Sequence, residues 1–154
     1  MIHLVDIGRK TTPAWAQKID RWYQLDETSF AFCEALHHWN YLQDHPKPQQ
    51  VLLALEGASN LADFEFAADF ALNRAMSPSK FVYTLPNVCA SVLFQLLEIS
   101  APVFCLNQGR ETLAFAQAEA RELAKQVPTV WLFSSSHVLE NGHRKVALDI
   151  FNHA

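Results

Sequence analysis

Glycine is scarce in this chain: four residues in 154, at positions 8, 57, 109 and 142. A phosphate-cradling loop or a dinucleotide-binding turn needs several glycines between one strand and one helix, and neither can be assembled from this set. The Gly-x-Ser-x-Gly elbow of the hydrolases is absent too. Positive charge is in deficit. Twelve Lys and Arg stand against sixteen Asp and Glu, for a formal net charge of −4, and the pI near 5.9 argues against a nucleic-acid-binding face. Apolar runs such as VLLAL from Val51 fall far short of the roughly 20 residues that span a bilayer. Met1 leads into IHLVDIG with no basic segment and long apolar segment after it, so no signal peptide is expected and the chain reads as cytoplasmic. The three cysteines, Cys33, Cys89 and Cys105, are odd in number and widely spaced, each inside an apolar pattern. They read as reduced core thiols rather than as disulfides or metal ligands. Repeats, low-complexity tracts and long linkers are missing, so residues 1–154 are expected to form one domain with a normal core.

What is present is a succession of short periodic segments. HLVDIG reads as a first strand closed by Gly8, followed by an irregular stretch over 9–24 that holds Trp15, Trp22 and Tyr23. Asp26, Thr28 or Ser29 would cap a helix with Phe32, Ala35, Leu36 and Trp39 at helical spacing. Pro46 and Pro48 end it. VLLALEG is a continuous apolar run of strand length, the pattern of a strand covered on both faces. A second helix is expected from Asn60 or Asp63 to Leu72, with Leu61, Phe64, Ala67, Ala68 and Ala71 on one stripe. Pro78 and Pro86 bracket a segment expected to be extended. Asn87 would cap a third helix that turns Val88, Val92, Leu93, Leu96 and Leu97 inward.

PVFCLN is the next strand, and GRETLAFAQAEARELAKQ a fourth helix with Leu113, Ala116, Ala120, Leu123 and Ala124 as its apolar stripe. TVWLFSSSHV and RKVALDIF read as strands joined through an Asn141–Gly142 turn. The order β-α-β-α-α-β-α-β-β implies an α/β domain, a mixed five-stranded sheet with helices on both faces.

His37, His38 and His45 invite a metal reading, but neighbouring helical residues point about 100° apart, and solvated polar residues at a helix end are the better reading. Ser134, Ser135, Ser136 and His137 would close a strand with polar groups or donate to a ligand. Cys105 sits mid-strand between Phe104 and Leu106 and would need a nearby base or helix N-terminus to react. The stretch from Pro102 is the most informative. A strand meets Gly109 and turns at once into an alanine-rich helix, the geometry with which many enzymes present a nucleophile. At this elbow stand Asn107, Gln108, Gly109 and Arg110, and no serine or cysteine.

The segment MSPSKFVYTLPNVCASVLFQLLEISAPVFCLNQGRETLAFAQAEA resembles the N-terminal half of the β-ketoacyl synthases. It is most similar to the shortened ketosynthase-like proteins of bacterial polyketide and aryl polyene pathways. The resemblance rests on Ser77-Pro78 with Phe81, on Pro86-Asn87 before an alanine-rich helix, and on Ala101-Pro102 leading into the elbow helix. It covers roughly residues 27–150 and implies a single half of a thiolase-like fold. In the active family a catalytic cysteine stands eight residues beyond the proline of the strand; here the same count from Pro102 lands on Arg110, and a small shift lands on Gln108. Chain-length factors, the inactive partners of ketosynthases, also lack this cysteine and often carry glutamine. The family's second half supplies two histidines, and this chain stops where that half would begin. Without thiolate or histidine pair, covalent acyl transfer has no nucleophile and no base.

The resemblance therefore implies a non-catalytic subunit of fatty acid, polyketide or aryl polyene synthesis, with no catalytic residue, cofactor or metal. Gln108, Gly109 and Arg110 would form a degenerate nucleophile elbow, and Asn87, Cys89, Ser134 and His137 a pocket. Val103, Phe104, Cys105 and Leu106 would form a strand at the dimer two-fold. The partners implied are a second copy or a ketosynthase, with an acyl carrier protein or acyl chain as ligand, and neither nucleic acid nor membrane. Two other readings compete: a small acyl-transfer enzyme using Cys105 or Ser134 to Ser136 with His137, and a regulatory α/β module that binds a small ligand.

Overall fold

A computed structural model describes residues 2–6, 12–39, 44–57, 60–72, 74, 78–82, 85–139 and 143–153. The elements run β1 (Ile2–Asp6), α1 (Glu27–His38), β2 (Gln50–Leu55), α2 (Asn60–Ala71), α3 (Pro78–Val82), α4 (Pro86–Leu97), β3 (Val103–Leu106), α5 (Thr112–Leu123), β4 (Thr129–Leu139) and β5 (His143–Asn152). Gly8, Ser77 and the Asn141–Gly142 turn lie outside the described residues.

The five strands form one sheet in the order β1-β5-β4-β2-β3. β2 runs parallel to both neighbours, whereas β4–β5 and β5–β1 are antiparallel. The mixed sheet read from the sequence is therefore present. The apolar run of β2 is buried at every position, and its period of two divides the core. Val51, Leu53 and Leu55 face α1 and α4, together with Trp131, Phe133, Val146 and Leu148. Leu52 and Ala54 face α5, together with Val130 and Leu132. Helices thus cover both faces, as expected.

Local chemistry explains the helix starts. Asp26 caps α1 by accepting from the N–H groups of Thr28 at 3.0 Å and Ser29 at 3.3 Å. Phe32, Ala35, Leu36 and Trp39 are all buried beneath this helix. The stretch expected to be irregular holds two short 3-10 turns. There Trp15, Ile19, Leu25, Phe30, Cys33 and Val92 make a satellite core, and Trp15 Nε1 donates to Glu34 Oε1 at 2.9 Å.

Four expectations fail. Residues 78–82 are helical rather than extended, because proline at a first helical position donates no N–H that the helix needs and has φ already set. Asn87 lies inside α4, with Pro86 as its first helical residue and Leu85 at the N-cap without a capping side chain. In α2, Phe64, Ala67, Ala68 and Ala71 are exposed instead of buried, and among the described residues no core cluster includes a side chain of this helix; the Leu61 side chain lies outside the described residues. In α5, Leu113 is 43 % exposed and Thr112 is buried in its place. The helix is entered through a 3-10 turn over Gly109–Glu111, and the rest of the expected stripe holds: Ala116, Ala120 and Ala124 are buried and Leu123 packs against them.

Candidate functional site

The elbow is assembled from β3, which ends at Leu106, and α5, which begins at Thr112. Between them Gly109 has φ +62°, the left-handed region that a side chain disfavours. A Cβ there would meet nothing within 4 Å, so the glycine answers to backbone conformation and not to crowding. Thr112, 1 % exposed, ties the turn together: its Oγ1 accepts from Gln108 N–H at 2.6 Å and donates to the Gly109 carbonyl at 2.7 Å. A motif search finds no signal in this threonine, yet it replaces an N-cap for a helix entered by a 3-10 turn. Asn107, Gln108 and Arg110 all stand exposed at the elbow.

The chain's thiols are not activated. Cys105, on β3, is exposed as a residue, and partial burial of its thiol alone pushes its pKa up. Cys33 and Cys89 are raised far more, by burial first and then by the Asp26 carboxylate. A nucleophilic cysteine needs the opposite shift.

The residues grouped as a pocket from sequence do not come together. Cys89 lies in the core on the α1 face, whereas Ser134 lines a cavity on the α5 face with the sheet between them. Asn87 is exposed at the start of α4, and the His137 side chain lies outside the described residues. A cavity beside Ser134 measures about 210 Å³. α5 packs on β2 and β4, and Leu113 and Gln117 form one wall of the cavity and Lys145, Ala147 and Asp149 of β5 the other. Glu56 and Ser136 border its end, where β4 departs from regular pairing between Ser135 and Val138. The signal for this face was present in the sequence of β5: Lys145, Ala147 and Asp149 alternate with buried Val146 and Leu148.

Arg144 shares the phase of that buried set and is itself buried. It donates to Thr28 Oγ1 at 2.7 Å and Ser135 Oγ at 3.3 Å and pairs with Glu27 at 3.4 Å, pinning the start of α1 to the sheet. His37 and His38 stack edge to face with centroids 5.6 Å apart in the last turn of α1, where imidazoles suit the helix dipole. Among the described residues, no three His, Cys, Asp or Glu side chains gather as metal ligands. No helix of the described residues is long and apolar enough to cross a membrane.

No family model matches the chain, and no curated protein does. Solved structures do. All of this chain superposes on 78 % of a chain from the complex of the ketosynthase ApeO with its chain length factor ApeC from Xenorhabdus doucetiae, with a TM-score of 0.74 and 13 % identity. In the ishigamide ketosynthase/chain length factor, 96 % of this chain superposes on 48 % of a chain, with a TM-score of 0.66 and 15 % identity. The chain thus spans about half the length of that second match. Its fold is that of the ketosynthase and chain length factor structures, as the resemblance read from its strand-to-helix elbow implies.

Proposed function

We propose that the protein is a non-catalytic ketosynthase-like subunit, acting as a chain-length-factor-like partner in fatty acid or polyketide synthesis of the aryl polyene type. The elbow is the observation that carries this reading. Strand, left-handed glycine and helix N-terminus are all in place, and the exposed positions there are held by Gln108 and Arg110, neither of which attacks a thioester. The raised pKa of Cys105 also favours a scaffold over an acyl-transfer enzyme. Both similar structures contain a ketosynthase with a chain length factor, which supports a ketosynthase as the partner. This chain covers 78 % of the chain matched in the first, so a subunit of this size is compatible with such an assembly. In the reading proposed here residues 1–154 correspond to the N-terminal half of a synthase, β3 lies at the interface, and an acyl carrier protein or acyl chain is a further ligand.

The test is direct. The purified chain, incubated with acyl- and malonyl-carrier protein, gives no condensation product by mass spectrometry, and Arg110→Cys gives none either. Turnover by the wild-type chain above a no-protein control would overturn the non-catalytic reading.

A further inference from the structure

The register of the sheet gives the cavity beside α5 its floor. Ala54 of β2 stands opposite Ser134 of β4, Ser134 opposite Ala147 of β5, and Ala147 opposite Ile2 of β1. One row thus carries three small side chains across adjacent strands, whereas a neighbouring row on the same face carries Leu52, Leu132 and Asp149. The row of small residues leaves a hollow of about 210 Å³, room for about seven waters at ~30 Å³ each. Leu113 and Gln117, one turn apart on α5, line it from the helix side. Topology favours a ligand here as well. The chain leaves β2 toward β3 and leaves β4 toward β5, on opposite sides. The crevice beside strand ends whose outgoing connections part is the usual ligand site of an open α/β sheet.

Ser134 is the residue that calls for a ligand. It is 7 % exposed and lines the hollow, yet its hydroxyl makes no hydrogen bond among the described residues. A hydroxyl withdrawn from water without a partner is costly, and alanine, which stands on either side of it in the row, would avoid that cost. Lys145 lines the same hollow, and its ammonium is likewise unpaired among the described residues. It is the diagonal neighbour of Ser134 across the β4–β5 pair, a spacing that a long side chain bridges. Glu56 and Asp149, at the margins, each already have an interaction of their own. We propose that the hollow binds a small monocarboxylic acid. Its carboxylate accepts from Lys145 Nζ and Ser134 Oγ, and its short apolar body lies against Ala54, Ala147 and Leu113. Charge selects this class. One unpaired lysine balances one negative charge, an amine would be repelled by it, and the second charge of a phosphate would stand unbalanced beside two carboxylates. The site lies beyond the function proposed above and needs no partner protein.

The isotope-labelled full chain is titrated with hexanoate, benzoate, hexylamine and inorganic phosphate, and amide shifts are followed by nuclear magnetic resonance. Both acids are expected to bind with Kd below about 1 mM, moving the amides of Ser134, Lys145 and Ala147. Hexylamine and phosphate bind at least about tenfold more weakly. Lys145→Met lowers affinity for the acids about tenfold or more, and Ser134→Ala lowers it about threefold or more. Ala147→Leu fills the floor and abolishes binding. Lys145 is exposed and the Ser134 hydroxyl bonds to nothing in the chain, so both of these variants keep the thermal midpoint, which separates a lost site from a lost fold. Failure of both acids to bind below that limit overturns the proposal. So does affinity that Lys145→Met and Ala147→Leu leave unchanged, which places the acids elsewhere. Hexylamine or phosphate binding as tightly as the acids overturns the ligand class. Every measurement uses the chain alone, so each of these failures leaves the proposed function standing.

Discussion

Cys33 and Cys89 show how little a residue type says before its surroundings are known. Both are thiols, yet burial under α1 and the Asp26 carboxylate raise both well above the ordinary value of 9.0. The folded chain therefore holds these protons more tightly than the unfolded chain. Below the ordinary thiol value both states are protonated and the two cysteines add no pH dependence. Above about pH 9 the unfolded state ionises first, and stability falls as pH rises, by up to about 1.4 kcal/mol per unit for each thiol. Thermal unfolding followed from pH 7 to 11 should show a steeper alkaline loss in the wild type than in the Cys33→Ala/Cys89→Ala variant. Lysines and tyrosines titrate in both, so parallel curves would refute the assignment. In the same range a thiol probe on the native chain should label Cys105 and spare the buried pair. The opposite case is Arg144, whose place among apolar residues marks it as buried, but whose partners Glu27 and Thr28 are more than a hundred residues away in sequence and could not be read from spacing.

At the scale of elements, legibility followed burial. β2, β4 and α1 are periodic and buried, and sequence reading placed them because packing enforces the same pattern that propensity favours. It failed where local chemistry or a missing neighbour decided. Pro78 started a helix instead of bracketing an extended segment, Leu85 displaced Asn87 as the cap of α4, and the described side chains of the α2 stripe joined no core cluster. In α5 the expected stripe holds except at its first position, where Thr112 is buried and Leu113 is not, and alanines at 116 and 120, both 0 % exposed, set how close the helix sits to β2 and β4. That spacing is testable. Ala120→Leu forces bulk against Leu52 and Leu132 and should cost about 1–3 kcal/mol in urea unfolding. Ala118→Leu, on the exposed side of the same helix, should stay within about 0.5 kcal/mol. Equal effects at the two positions would mean that α5 does not pack on the sheet as described. The candidate site was legible only in part. The elbow came from a glycine between a strand and a helix, whereas the cavity beside α5 showed in sequence only as the alternation of β5, and its other wall, Leu113 and Gln117, is set by tertiary packing.

For the whole molecule, the edge of the sheet at β3 is the feature on which the proposed assembly rests. Among the described residues β3 pairs with β2 alone. Its register places Val103 opposite Val51 and Cys105 opposite Leu53, and Val51 N–H donates to the Pro102 carbonyl at 3.0 Å. In a parallel ladder that arrangement directs the N–H and C=O of Phe104 and Leu106 inward to β2, and those of Val103 and Cys105 outward. An outward edge is a template for another strand. Phe104, 55 % exposed, adds an apolar side chain at the same place. If a partner pairs with this edge, Cys105→Pro removes the outward N–H at the centre of the strand. It touches no bond to β2, because proline is tolerated on an edge strand whose N–H faces away from the sheet. The free chain should keep its thermal midpoint and far-ultraviolet spectrum within error, while the complex with the proposed ketosynthase partner weakens about tenfold. Phe104→Asp should weaken it at least as much through the side chain. Retention of full affinity by both variants would show that β3 is capped by solvent in the assembly and that the partner lies elsewhere on the surface.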